Sequence, residues 1–106
     1  MDNKQYMEML YNFNDAFDRG KKLLIRWKNE LTVCCTSITG VYETDTEPED
    51  EDYIGEYAAA VGDVEILKKG NDDSISIYNG CIEISLISIP EEIALEDGTI
   101  LWQRER

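Results

Sequence analysis

The sequence predicts an α+β domain in which one N-terminal amphipathic helix packs on a strongly bent antiparallel sheet of five to seven short strands. Three observations carry this. Apolar residues recur at spacings of three and four near the N-terminus, the pattern changes to alternation after Gly20, and the alternating runs are punctuated by Gly, Asn, Asp and Pro. The chain has 106 residues, 42% of them hydrophobic, with two Trp, six Tyr and two Phe, which suffices for one core, so residues 1–106 read as a single domain.

Residues 1–20 form the expected helix. Tyr6, Met9, Leu10, Phe13 and Phe17 fall on one stripe, while Glu8, Asn12, Asp15 and Asp18 fall largely elsewhere. Asp2 or Asn3 suits the start, and Gly20, with Arg19 beside the negative pole of the helix, suits the end. Residues 21–42 read as a hairpin. Leu23, Ile25 and Trp27 share one face of its first strand, and Lys28-Asn29-Glu30 turns the chain into Leu31-Thr32-Val33-Cys34-Cys35. The second strand is expected to continue through Ile38 to Tyr42, with Gly40 permitting a bend.

Residues 43–52 are expected to be an acidic loop, and residues 53–106 mostly β. Between 53 and 69 two periods compete. As a helix, Tyr53, Tyr57, Ala60, Val64 and Leu67 align and Lys68-Lys69-Gly70 marks a stop; as a strand, Tyr57, Ala59 and Val61 alternate, then Val64 and Ile66 alternate with the opposite parity. Two interior glycines, each costing about 1 kcal/mol against Ala in a helix, favour the strand, with Gly62-Asp63 as the bulge that switches parity. Further on, Ser74–Tyr78 and Cys81–Ile89 alternate around the turn pair Asn79-Gly80, with Ile75, Ile77, Ile82, Ile84 and Leu86 as the apolar set, and Pro90 ends the run. Ile93–Glu96 and Thr99–Trp102 flank Asp97-Gly98 at the spacing of a tight hairpin with one extra loop residue. Trp27 and Trp102, each at the end of an alternating strand, are expected to be structural. In outline this arrangement resembles Sm-like and related small barrels, a resemblance of architecture alone, which implies curvature and protected edges but no activity.

Charge is the other strong feature. Twenty-three Asp and Glu stand against ten Lys and Arg, a formal net charge of -13, and seven of the ten residues from Glu43 to Asp52 are acids. From Asn29 to Leu67 there is no base, whereas Lys4, Arg19, Lys21, Lys22, Arg26 and Lys28 lie in the first 28 residues. The basic group reads as relief of self-repulsion through pairs with neighbouring strands. Phosphate backbones and anionic membranes would be repelled by most of such a surface, because binding them relies on Lys and Arg displacing counterions. The composition therefore points to a basic protein as partner, with no direct nucleic acid and no membrane.

Catalysis is disfavoured by residue type. There is no histidine, hence no Ser-His-Asp or Cys-His arrangement, and no phosphate-cradling glycine motif. No cofactor is implied. An EF-hand register beginning at Asp50 places Gly55 at the sixth position but Ile54 at the fifth and Val61 at the twelfth, so no metal site is assigned. Three cysteines cannot all pair, and adjacent Cys34 and Cys35 point to opposite faces of a strand. With Cys81 they read as small hydrophobes of a reducing compartment. The opening residues lack the apolar core of a signal peptide, which makes the cytoplasm the expected location.

The functional expectation is a small, non-enzymatic acidic inhibitor that occupies a basic, nucleic-acid-binding surface of its partner, a nuclease or a CRISPR effector. By analogy of charge and size it resembles DNA mimics, anti-CRISPR proteins and immunity proteins for nuclease toxins. The residues expected to meet the partner are Glu43, Asp45, Glu47, Glu49, Asp50, Glu51, Asp52, Tyr53 and Glu56. The competing expectation is a scaffold or regulatory domain that binds through an apolar patch or a sheet edge.

Overall fold

The computed structural model describes residues 3–37, 39–71, 75 and 77–104. The expected cap Asp2, the expected strand residue Ile38 and the expected strand start at Ser74 lie outside the described residues, as do the side chains of Asn3, Phe17 and Ser37; in the rest of the expected strand to Tyr78, Ile75 and Ile77 belong to no strand and Tyr78 makes only an isolated bridge to Cys81. Helix α1 spans Asn3–Asp18. Its stripe of Tyr6, Met9, Leu10, Phe13 and Ala16 is buried. The helix ends as Gly20 predicts: at φ +63° it turns the chain so that Lys21 N–H reaches back to the Ala16 carbonyl at 3.2 Å, satisfying a carbonyl the helix leaves open.

Seven strands follow: β1 (Lys22–Arg26), β2 (Thr32–Ser37), β3 (Tyr42–Glu43), β4 (Tyr57–Lys68), β5 (Ile82–Ile84), β6 (Glu92–Leu95) and β7 (Ile100–Gln103). All their pairings are antiparallel, in the order β3-β4-β2-β1-β6-β7 with β5 also on β4. The sheet is strongly curled into a half-barrel, and α1 packs against β2, β4 and β7. Leu23, Ile25, Trp27, Val33, Cys35, Ala59, Val61, Ile82, Ile84, Ile93 and Trp102 join the helix stripe in one core. The alternation of β1 and β2 is therefore a sorting of faces, with Cys35 inward and Cys34 at intermediate depth.

The three short turns follow from their residues. Trp27 and Leu31 close a three-residue loop in which Glu30 takes φ 73°. Asn79 and Gly80, at φ 51° and 73°, form the two-residue turn whose twist matches the strands, with Tyr78 and Cys81 exchanging two bonds of 2.9 Å. Leu95 N–H donates to Thr99 O, and Gly98 at φ 93° completes the loop with its extra residue.

Residues 57–68 are a strand, and its irregularities are the source of the curl. Cys34 pairs with Glu65 but Thr36 pairs with Gly62, so β4 carries one more residue than β2 at Asp63–Val64, where Asp63 has φ 48°. A second extra residue, Leu67, lies between the pairs Val33↔Ile66 and Thr32↔Lys68. Each such bulge bends its strand and adds twist.

Several expectations require correction. The second strand of the first hairpin does not run unbroken to Tyr42; it stops at Ser37 and resumes as β3, and between them the Thr39 hydroxyl accepts the Ala60 N–H at 3.0 Å in place of a backbone carbonyl. Glu43 belongs to β3, paired with Tyr57, so the acidic connection begins at Thr44. Ile66, expected inward, is half exposed because the distal part of β4 runs past the core. The run from Cys81 to Ile89 is a strand only over Ile82–Ile84; Ser88 N–H bonds to the Ser85 carbonyl at 3.0 Å and the chain turns, leaving Leu86 41% and Ile87 70% exposed.

Trp27 is 1% exposed, and its indole N–H donates to the Ser88 carbonyl at 3.3 Å. Trp27→Ala should cost about 3–5 kcal/mol, the usual loss for deleting a buried large aromatic. Urea denaturation followed by circular dichroism checks this, and an unchanged midpoint would contradict the packing described.

Candidate functional site

The acidic segment connects β3 to β4 and is an ordered hairpin loop. Its base is tied by Thr44 N–H to Glu56 O at 3.0 Å. Inside it, the Thr44 and Thr46 hydroxyls are hydrogen-bonded to each other at 2.8 Å, both lie within reach of the Gly55 carbonyl, to which one of them donates, and Thr46 Oγ1 accepts from Ile54 N–H at 3.4 Å. At the tip, Pro48 presets the backbone for a turn in which Asp50 N–H donates to Glu47 O at 2.9 Å, while Asp50 Oδ2 accepts the Glu47 N–H at 2.9 Å. A second turn brings Tyr53 N–H to Asp50 O at 3.3 Å.

This internal scaffold leaves the charges outward. Glu43, Asp45, Glu47, Glu49, Asp50, Glu51, Asp52 and Glu56 are all exposed, and Tyr53 is half-buried. The ion pairs among the described residues are Arg19–Asp15, Arg26–Glu92, Lys68–Glu30 and Arg104–Glu91, and none of them involves the loop acids. Of the basic group near the N-terminus, Arg26 pairs across strands as its position predicts, on the opposite partner Glu92.

Beside the loop lies a cleft of about 200 Å³ lined by Tyr6, Met7, Tyr53, Glu56, Tyr57 and Leu86. Helix α1 supplies Tyr6, which is buried and donates to the Tyr57 carbonyl. The turn after β5 supplies Leu86, whose N–H donates to Ile54 O at 2.9 Å and so fastens that turn to the acidic hairpin. Gly55 makes the closeness possible: its φ is +102°, and a Cβ there would lie 3.0 Å from Leu86 Cγ and 3.4 Å from the Tyr6 hydroxyl. Near the cleft, Tyr42 on β3 donates to Glu83 Oε2 of β5 at 2.7 Å. Burial, helped by the nearby Tyr53 and Glu83, pushes the Tyr6 phenol up from 10.0 to about 12. Burial and then the bond to Glu83 also raise Tyr42. Both rings therefore stay neutral near pH 7.

The structure thus gathers Tyr53 and Glu56 in the cleft and holds the other acids along the hairpin above it. The sequence-based expectation missed Tyr6, Tyr42, Glu83 and Leu86 as neighbours of the site. Tyr6 read as core by its helical spacing; the one available signal was that a phenol on an apolar stripe needs a partner for its hydroxyl. Among the described residues no group of His, Cys, Asp and Glu is arranged to hold a metal ion, and no helix is long and apolar enough to cross a membrane.

A small curled sheet that holds out an acidic hairpin beside a cleft presents a surface on which a binding partner can dock. Over residues 1–106 the chain matches the family described as cognate immunity protein YxxD, and it belongs to that family. No curated protein and no solved structure matches it.

Thr46→Val removes the hydroxyl that bridges Gly55 and Ile54 while nearly preserving shape. It should cost about 1 kcal/mol and speed hydrogen exchange at the Ile54 amide, with core amides unaffected. Exchange unchanged at Ile54 would show that the hairpin is ordered by other means.

The tyrosines predict an alkaline effect of definite sign. Because the folded Tyr6 phenol holds its proton up to about 12, the stability it contributes is complete below pH 10 and is lost as pH rises from there toward about 12. Denaturation midpoints across this range should fall, and fall less in Tyr6→Phe. Equal falls in both proteins would contradict the burial of this phenol.

Proposed function

We propose that this immunity protein acts as a non-catalytic inhibitor whose acidic hairpin covers a basic, nucleic-acid-binding surface of its cognate toxin, the toxin being a nuclease. The observation that carries this reading is that the eight exposed acids from Glu43 to Glu56 enter none of the ion pairs among the described residues, although the backbone beneath them is tied by hydrogen bonds. Unpaired carboxylates held on an ordered loop repel one another; that cost is offset when Arg and Lys of a partner arrive, and little is spent on ordering the loop at that moment. Arg and Lys that serve to bind phosphates accept carboxylates by the same charge-assisted hydrogen bonds. Membership of an immunity family favours a toxin over a CRISPR effector as the partner.

The opposed fields of the two proteins would act mainly on encounter. Association steered by charge is fast and falls steeply with salt, whereas contact through apolar residues such as Leu86 and Ile87 does not.

The test replaces Glu49→Gln, Asp50→Asn, Glu51→Gln and Asp52→Asn together; the amide that Asp50→Asn introduces keeps an acceptor for Glu47 N–H. Stability should be unchanged or slightly raised. Association with the toxin should slow by about tenfold or more at low salt and become less salt-dependent, and protection of the toxin's nucleic-acid substrate should weaken. Identical association rates for both proteins at two ionic strengths would show the hairpin to be a solvated connector and move the interface to an apolar face.

A further inference from the structure

We propose that the cleft between α1 and the base of the acidic hairpin is a socket for one arginine side chain of the toxin. This rests on the reading that the partner presents a basic surface, and it assigns the place where a single cation of that surface is gripped. The lining is aromatic, with Tyr53 and Tyr57 half-buried and Tyr6 almost wholly buried, and Leu86, Met7 and Glu56 complete it. Glu56 is exposed and enters no ion pair among the described residues. A guanidinium is planar and weakly hydrated; it stacks on tyrosine faces and pairs with a carboxylate, while its aliphatic stem can lie along Leu86. A lysine ammonium, compact and strongly hydrated, uses such a site less well.

Size supports a side chain over a small molecule. At about 200 Å³ the cleft falls below the roughly 300–1,000 Å³ typical of ligand pockets. The walls are also preformed. Tyr6 is anchored by its bond to the Tyr57 carbonyl, and the backbone bond from Leu86 to Ile54 holds the rim against the hairpin. Because the loop acids lie on the connection that ends in Tyr53 and Glu56, a basic surface drawn to the hairpin arrives beside the socket. The hairpin would thereby set the rate of arrival and the socket the rate of departure, since desolvated aromatic anchors act chiefly on dissociation.

The experiment uses the full chain and two probes, N-acetyl-arginine methylamide and its neutral citrulline counterpart, with NMR signals of the Tyr6, Tyr53 and Tyr57 rings and the Leu86 methyls as readout. The arginine probe should shift these signals saturably and bind at least about fivefold more tightly than citrulline; Glu56→Gln, an exposed change that leaves the core intact, should remove most of that preference. Equal binding of the two probes, or shifts confined to residues 47–52, would overturn the socket. Toxin kinetics then separate the two ideas. Tyr53→Ala should raise the dissociation rate about tenfold and leave association nearly unchanged. If dissociation is unaltered while the quadruple hairpin variant slows association, the socket fails and the acidic cover stands. If the hairpin variant has no effect while Tyr53→Ala speeds release, the cover fails and the socket stands.

Discussion

Strand β4 must pair with three others along twelve residues, and it cannot do so while running straight. Val61 is the meeting point, paired with Ser37 of β2 and with Ile82 of β5. Towards its start β4 carries β3, and beyond Val61 the extra residues at Asp63–Val64 and Leu67 bend it along β2. The left-handed backbone at Asp63 marks the first bend. The curl wraps the sheet around Met9, Leu10 and Phe13. Ahead of the bends, β5 pairs with Ala59–Val61, which carries the turn after β5 alongside the end of the hairpin between β3 and β4, where Leu86 N–H reaches Ile54 O at the rim of the tyrosine cleft.

Electrostatics are partitioned along the same body. Arg26 with Glu92 and Arg104 with Glu91 couple β1, β6 and the chain after β7. The hairpin acids have no ion-pair partners among the described residues, and the hairpin's shape is maintained by threonine hydroxyls, a proline turn, backbone bonds and the Asp50 carboxylate, which accepts the Glu47 N–H. A loop held by salt bridges would have spent its carboxylates internally. One held largely by hydroxyls keeps most of them available, which is the property the proposed cover of a basic surface needs.

Much of the architecture was legible because it depends on local periodicity and turn chemistry. The helix stripe, the alternation at Leu23, Ile25 and Trp27, the Asn79-Gly80 and Asp97-Gly98 turns and the parity switch within 57–68 are properties of neighbours in sequence. The errors at Ile66 and Leu86 share another origin. In both an apolar alternation continues past the point where the core ends, and nothing in the residues themselves records where the opposing layer stops.

The same division applies to the surface. Sequence by itself determined that the segment from Glu43 to Asp52 is strongly negative and that the rest of the chain can supply a core, because charge and hydrophobicity belong to residues singly. Only the tertiary structure decided that Tyr53 and Glu56 would stand in one cleft with Tyr6, 47 positions before Tyr53 in the chain. That proximity is created by a helix packed on β4 and bonded through Tyr6 to the Tyr57 carbonyl, and long-range packing of this kind is set by how faces meet rather than by the order in which residues occur.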